Sequence, residues 1–200
     1  MPKRARVSQQ LGLFASEARS VIASDATGTI VYTPGVFTRE DGERYFNALR
    51  DDIDWHADRR WMYDREVDVP RLVAYYESPP FPSVLHAICE RVEPLSGVTI
   101  ERIGLNFYRD ERDSVAWHND RIAEYGTAPT IALVSFGATR RMLLRTKPAA
   151  PRRRSLQIDL EPGSLLLMQG ASQVFWEHSI PKERRPIGPR ISVALRKASD

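Results

Sequence analysis

The chain has 200 residues, a formal net charge of +3 and a single cysteine, Cys89. One domain of that size can bury its own core, and a lone cysteine excludes both an intramolecular disulfide and a multi-cysteine zinc cluster. No stretch nears the roughly 18 apolar residues of a membrane helix, and the basic start MPKRARVSQQ lacks a signal peptide's apolar core, so a soluble, cytoplasmic, monomeric protein is expected.

Residues 1–28 are polar, rich in alanine and serine, and weakly periodic, which predicts a flexible N-terminal tail. One apolar island interrupts it, QLGLF from Gln10 to Phe14. Exposed leucines and a phenylalanine in a tail either strap back onto the domain or dock into a partner's groove. The stretch resembles the short sliding-clamp-binding peptide of bacterial DNA polymerases and repair proteins, so a clamp is a candidate partner.

The domain is expected over 29–200. TIVYT, from Thr29, reads as a strand. A helix follows at 38–53, capped by Thr38, with Asp41 near its positive end and Tyr45, Phe46, Leu49 and Ile53 forming an apolar stripe. A second helix is predicted over 80–96, with Val84, Leu85, Ile88, Val92 and Leu95 on one face, His86 off it and Gly97 ending it. Beyond Gly97 short β-rich runs recur: TIERIGLNFY, TIALVSFG, TRRMLLRT, SLQIDL, GSLLLMQG and RISVALR. That order predicts an α+β, mainly β fold, an antiparallel sandwich or barrel with helices packed on one side.

Arginine is clustered at 59–61, 139–145, 152–154 and 182–186. Its planar fork suits phosphate, so these clusters permit nucleic-acid binding, and they equally suit a solvated surface. Arg140, Arg141 and Arg145 either face phosphate or edge a strand.

The chemistry concentrates in SVAWHNDRIAE, residues 114–124. Side chains two apart on a strand point the same way, so His118 and Asp120 can grip one object together. An imidazole and a carboxylate are two parts of the 2-His-1-carboxylate facial triad of non-haem iron oxygenases. The remaining histidines are His56, His86 and His178. His178 is the best placed, at the end of the strand-like run GSLLLMQGASQVFWEH in the same β-rich half.

Several blocks then agree: VDVPRLVAYY (67–76), LNFYRDERDSVAWHND (105–120), SFGATRRMLLR (135–145), PGSLLLMQGASQVFWEHSIPK (162–182) and GPRISVALR (188–196). In order and rough spacing they resemble the AlkB family of iron(II)- and 2-oxoglutarate-dependent dioxygenases, which repair alkylated nucleic acids. The resemblance implies a double-stranded β-helix, or jelly roll. It implies Fe(2+) held by His118, Asp120 and His178, with 2-oxoglutarate and O2 as co-substrates. Arg190 would clasp the distal carboxylate of 2-oxoglutarate, Asn106 and Tyr108 would hydrogen-bond it, and Arg196 would lie beside the metal-binding carboxylate. The implied reaction is oxidative dealkylation of N-alkylated bases in DNA, in which 2-oxoglutarate becomes succinate and carbon dioxide and the alkyl carbon leaves as an aldehyde.

A base in a duplex must be flipped out to reach such a pocket. Tyr63, within RRWMYDREVDVPR, is the candidate for stacking or wedging, and Tyr76 for lining the pocket; core packing is the competing role for both. Three positions depart from the family's pattern. Ser192 and Ala194 replace an asparagine and a threonine on the last strand, and Ile122 stands where demethylases carry an acidic residue against the damaged base. Ile122 keeps open the same chemistry on RNA, a bulkier lesion or protein. A non-catalytic nucleic-acid- or clamp-binding module is the reading from another class.

Overall fold

The computed structural model describes residues 19–62, 64–120 and 129–197. In chain order the elements are β1 (Ser20–Asp25), β2 (Gly28–Thr33), α1 (Arg39–Asp52), β3 (His56–Met62), β4 (Arg65–Tyr76), α2 (Ser83–Ser96) and β5 (Arg102–Tyr108). They continue with β6 (Val115–His118), β7 (Ile131–Gly137), β8 (Arg140–Thr146), β9 (Ser155–Leu160), β10 (Leu165–Gln169), α3 (Ser172–Phe175), β11 (Trp176–Ile180) and β12 (Arg190–Arg196). An eight-stranded sheet runs β1-β2-β10-β7-β12-β5-β4-β3, and a four-stranded sheet runs β6-β11-β8-β9. Neighbouring strands pair antiparallel throughout. Two antiparallel sheets with helices on one side are the expected jelly-roll arrangement.

The helices form where local chemistry places them. The Thr38 hydroxyl accepts from the Asp41 amide at 3.1 Å and starts α1, with Glu40 and Asp41 in its first turn. Gly97, at φ 73°, closes α2 by donating its amide to the Glu93 carbonyl at 2.9 Å. Helix α2 begins at Ser83 rather than 80, because Pro80 and Pro82 hold the residues before them out of helical backbone. Its buried stripe runs through Leu85, Cys89, Val92 and Ser96, so Leu95 falls to the margin at 49% exposed, against expectation. His86 is exposed, as expected.

Strand β1 corrects the expected tail boundary. Residues 20–25 pair with β2 from Ser20↔Tyr32 to Asp25↔Gly28. As an edge strand β1 buries only Ala23 and leaves Val21 62% exposed, which hides its periodicity in the sequence. Its turn is pinned by Thr27, whose hydroxyl accepts from Trp176 Nε1 and Arg154 Nη2, both at 3.0 Å. Gln10–Phe14 lies outside the described residues.

Two cores share the large sheet. On its outer face Leu49, Leu85, Ile88 and Val92 of the helices pack against Ile103, Leu105, Val134, Phe136, Val193 and Leu195. Between the sheets lie Tyr108, Ile131, Met142, Leu144, Leu166, Met168 and Trp176. Gly137, at φ 86°, ends β7 against the start of β12: an added Cβ would meet the Pro189 carbonyl oxygen at 2.3 Å. That close approach fixes where Arg190 enters the space between the sheets.

Candidate active site

Strands β6 and β11 put the two histidines together. His118 and His178 are register partners, with ring centroids 4.3 Å apart. His178 lies mid-strand in β11, which the turn α3 separates from β10, rather than at the end of one long run. His118 Nδ1 lies 2.8 Å from the Ala116 carbonyl. A carbonyl only accepts, so Nδ1 carries the proton and Nε2 keeps its lone pair. Burial pulls the His118 pKa below the ordinary imidazole value. Burial, with His118 beside it, drives His178 down to about 3. Both rings are therefore neutral at physiological pH, the form that ligates metal.

Asp120 sits two residues past the end of β6, not on the strand, and is held there by tertiary contacts. Its amide donates to Gln173 Oε1 at 2.9 Å, and Gln173 is itself buried. Arg196 Nε and Nη2 donate to Asp120 Oδ2 at 3.0 and 2.9 Å. Burial pushes the Asp120 carboxyl up, but the Arg196 guanidinium beside it outweighs burial and holds it below the usual carboxylate range. The set is thus two neutral imidazoles and one ionised carboxylate, the donor chemistry of a non-haem iron site. Among the described residues no group of three or more His, Cys, Asp and Glu side chains is arranged as it stands to hold a metal ion. The donors match by type and neighbourhood, with the carboxylate engaged by Arg196.

Arg190 is 1% exposed. Nη2 donates to Ser135 Oγ at 2.9 Å, while Nε and Nη1 find no hydrogen-bond partner among the described residues. Burial draws its pKa down to about 10, so it remains a cation. A buried guanidinium with two idle donors fits an anionic ligand, and a carboxylate suits its fork. Tyr108 lies between Arg190 and Arg140, each guanidinium 5.4 Å from the ring centre. Asn106 Oδ1 accepts from Arg71 Nε at 2.5 Å, which turns the amide nitrogen the other way as a donor. Asn106, Tyr108, His118, Asp120, His178, Arg190, Ser192, Ala194 and Arg196 all line one open cavity. The expected iron and 2-oxoglutarate residues therefore share one space, Ser192 and Ala194 among them.

Other expectations shift. Tyr76 does not line the cavity: it pairs with Ile103 and packs its ring on Phe81 in the helix-side core, centroids 6.4 Å apart. Tyr63 and Ile122 lie outside the described residues. Arg140 is fully buried, donating to the carbonyls of Asp110, Asp113 and Pro181, so it cannot face phosphate. Arg141 pairs with Glu183 at 2.9 Å, and Arg145 with Glu177 while stacking on Trp117. Arg71, Ser135 and Gln173 were not legible as site residues. The arginine inside the apolar run VDVPRLVAYY was the one available signal, since such a residue needs a buried partner.

The chain matches the 2OG-Fe(II) oxygenase superfamily over residues 53–196. It is 32% identical over 182 residues to the mouse alpha-ketoglutarate-dependent dioxygenase alkB homolog 3, covering 82% of this chain and 64% of the relative. It is 28% identical over 184 residues to the bovine DNA oxidative demethylase ALKBH2, covering 81% of this chain and 66% of the relative. The solved structure of OsALKBH1 superposes with a TM-score of 0.60 at 12% identity, covering 84% of this chain and 97% of that one, a likeness of fold. The chain belongs to the 2OG-Fe(II) oxygenase superfamily, the class that takes Fe(II) as cofactor and 2-oxoglutarate as co-substrate, and its curated relatives carry alkB-homologue names. It spans less than two-thirds of the length of the mouse relative.

Proposed function

We propose that this protein is an Fe(II)- and 2-oxoglutarate-dependent dioxygenase that oxidatively dealkylates N-alkylated bases in DNA. The observation that carries the reading is one cavity holding two neutral imidazoles, an arginine-clamped carboxylate and a buried arginine with idle donors. His118, Asp120 and His178 would hold the iron, which supplies oxidation of the alkyl carbon coupled to decarboxylation of 2-oxoglutarate. Arg190 would bind the distal carboxylate of the co-substrate. Asn106, oriented by Arg71, would donate to it, and buried Tyr108 would wall its pocket. Arg196 would keep Asp120 ionised and aimed. None of these side chains need move a proton: their work is to bind, orient and exclude water.

The test is aerobic turnover with Fe(II), 2-oxoglutarate and oligonucleotides carrying 1-methyladenine, following succinate and formaldehyde together. Equal yields of the two support the reading, and succinate that no methylated oligonucleotide stimulates removes nucleic acid as substrate. Ile122 favours running the same assay on RNA and on bulkier adducts. The Gln10–Phe14 peptide is proposed as a clamp ligand on its sequence alone. Deleting residues 10–14 should abolish capture by a bacterial sliding clamp, and unchanged capture refutes that role.

A further inference from the structure

The inner face of β5 carries one residue with no side chain. Gly104 is buried, alternates onto the same face as Asn106, and pairs in unbroken register with Ala194 of β12 and Tyr75 of β4. A glycine inside a strand weakens it, and it occurs where the backbone bends or where another group comes close. Gly104 is not among the glycines of positive φ, unlike Gly137, so its backbone does not require glycine. The close group is Arg196. A Cβ built on Gly104 would lie 2.9 Å from Arg196 Nη1, while its next neighbours, two atoms of the Tyr75 ring, stand at an ordinary 3.7 Å. That guanidinium is committed on every nitrogen. Nη1 donates to the Ala194 carbonyl at 3.2 Å, and Nε and Nη2 donate to Asp120 Oδ2 at 3.0 and 2.9 Å.

We propose that Gly104 is a positioning residue, whose bare Cα is the seat that lets the Arg196 guanidinium reach Asp120. A side chain at 104 would take the place of Nη1, release the Ala194 carbonyl and turn the fork off the carboxylate. The obstacle is the tip of a flexible side chain, so the fold can absorb a methyl group there while the clasp cannot. Asp120 is itself largely buried, and losing the clasp leaves its charge without a cation. Partners that orient a metal ligand typically hold about tenfold to a hundredfold of metal affinity. The effect on Fe(II) rests on the dioxygenase reading; the seat itself does not.

The test is a double-substitution cycle on the full chain, read in two ways. Melting midpoints of the metal-free protein report the seat. Gly104→Ala should lower the midpoint in the wild-type background, where it costs the clasp. In an Arg196→Ala background the same change should raise it, because alanine restricts the unfolded chain and meets nothing closer than the Tyr75 ring. Anaerobic calorimetric titration with Fe(II) reports the consequence. Gly104→Ala should weaken Fe(II) binding roughly tenfold, with no further loss when it is added to Arg196→Ala. Midpoint shifts of the same sign in the two backgrounds, a Gly104→Ala chain that does not fold, or Fe(II) bound equally well by the wild-type and Gly104→Ala chains overturns the proposal. Shifts of opposite sign in a chain that takes no Fe(II) uphold the seat and reject the dioxygenase reading. An intact Fe(II) site with shifts of the same sign does the reverse.

Discussion

The two faces of strand β12 do opposite jobs. Ile191, Val193 and Leu195 point to the helices and are fully buried among aliphatic and aromatic neighbours. Arg190, Ser192, Ala194 and Arg196, the alternate residues, line the cavity. Strand β5 repeats the split, with Ile103 and Leu105 outward and Asn106 and Tyr108 inward. One face follows hydrophobic packing and can absorb the cost of the other, where buried guanidiniums and neutral histidines stay poised for ligands. Period-2 alternation thus separates what holds the sheet from what it is for.

The separation can be challenged from either side. The largest expected effect is on the packing face: Leu49→Ala should destabilise the fold by about 2–5 kcal/mol, seen as a lower midpoint in denaturant, with the apparent 2-oxoglutarate affinity of the folded protein unchanged. A comparable loss of affinity would show that the faces are coupled. On the cavity face, Arg190→Ala should weaken 2-oxoglutarate binding by roughly tenfold to a hundredfold, the value of hydrogen bonds to a charged group, without loss of stability, because it removes a buried guanidinium whose Nε and Nη1 lack partners among the described residues. Calorimetry of binding and of melting on the same sample reads both.

Within any one pH unit the smallest effect is a pH slope. The folded His178 pKa is about 3 against an ordinary 6.5, and burial is the main cause. The unfolded chain takes up a proton there below 6.5 that the folded chain refuses. The metal-free protein should therefore keep this stability above pH 6.5 and lose it as pH falls toward 3, by at most about 1.4 kcal/mol per pH unit. His178→Gln should flatten that slope, and an unchanged slope would place the acid sensitivity elsewhere.

Much of this division was legible in the sequence. The alternation in RISVALR and the apolar stripe of α1 announced the packing face, and Thr38 and Gly97 marked the helix ends. Histidine and aspartate two apart, joined to the surrounding blocks, marked His118, Asp120 and His178, which the structure brings to one cavity. What stayed hidden was tertiary. Tyr76 was the candidate to line the pocket, and only the β4–β5 register, which pairs it with Ile103, shows that it packs in the helix-side core. Asp120 lies past its strand, so its position depends on Gln173 and Arg196, 53 and 76 residues away. The arginine clusters suited phosphate and a strand edge alike, and the structure shows Arg140 closing loops from within while Arg141 and Arg145 answer carboxylates. Composition cannot tell a guanidinium that faces solvent from one that ties three carbonyls together.

The central claim is that the inner face of the large sheet, with β6 and β11 across from it, is one iron and 2-oxoglutarate site. Anaerobic titration of 2-oxoglutarate into the protein with and without Fe(II), repeated on Asp120→Ala, tests it most directly. The account predicts tight binding of one 2-oxoglutarate per chain that depends on Fe(II) and is lost in the variant. Binding that ignores both the iron and Asp120, or no binding in the iron-loaded wild-type protein, would contradict it.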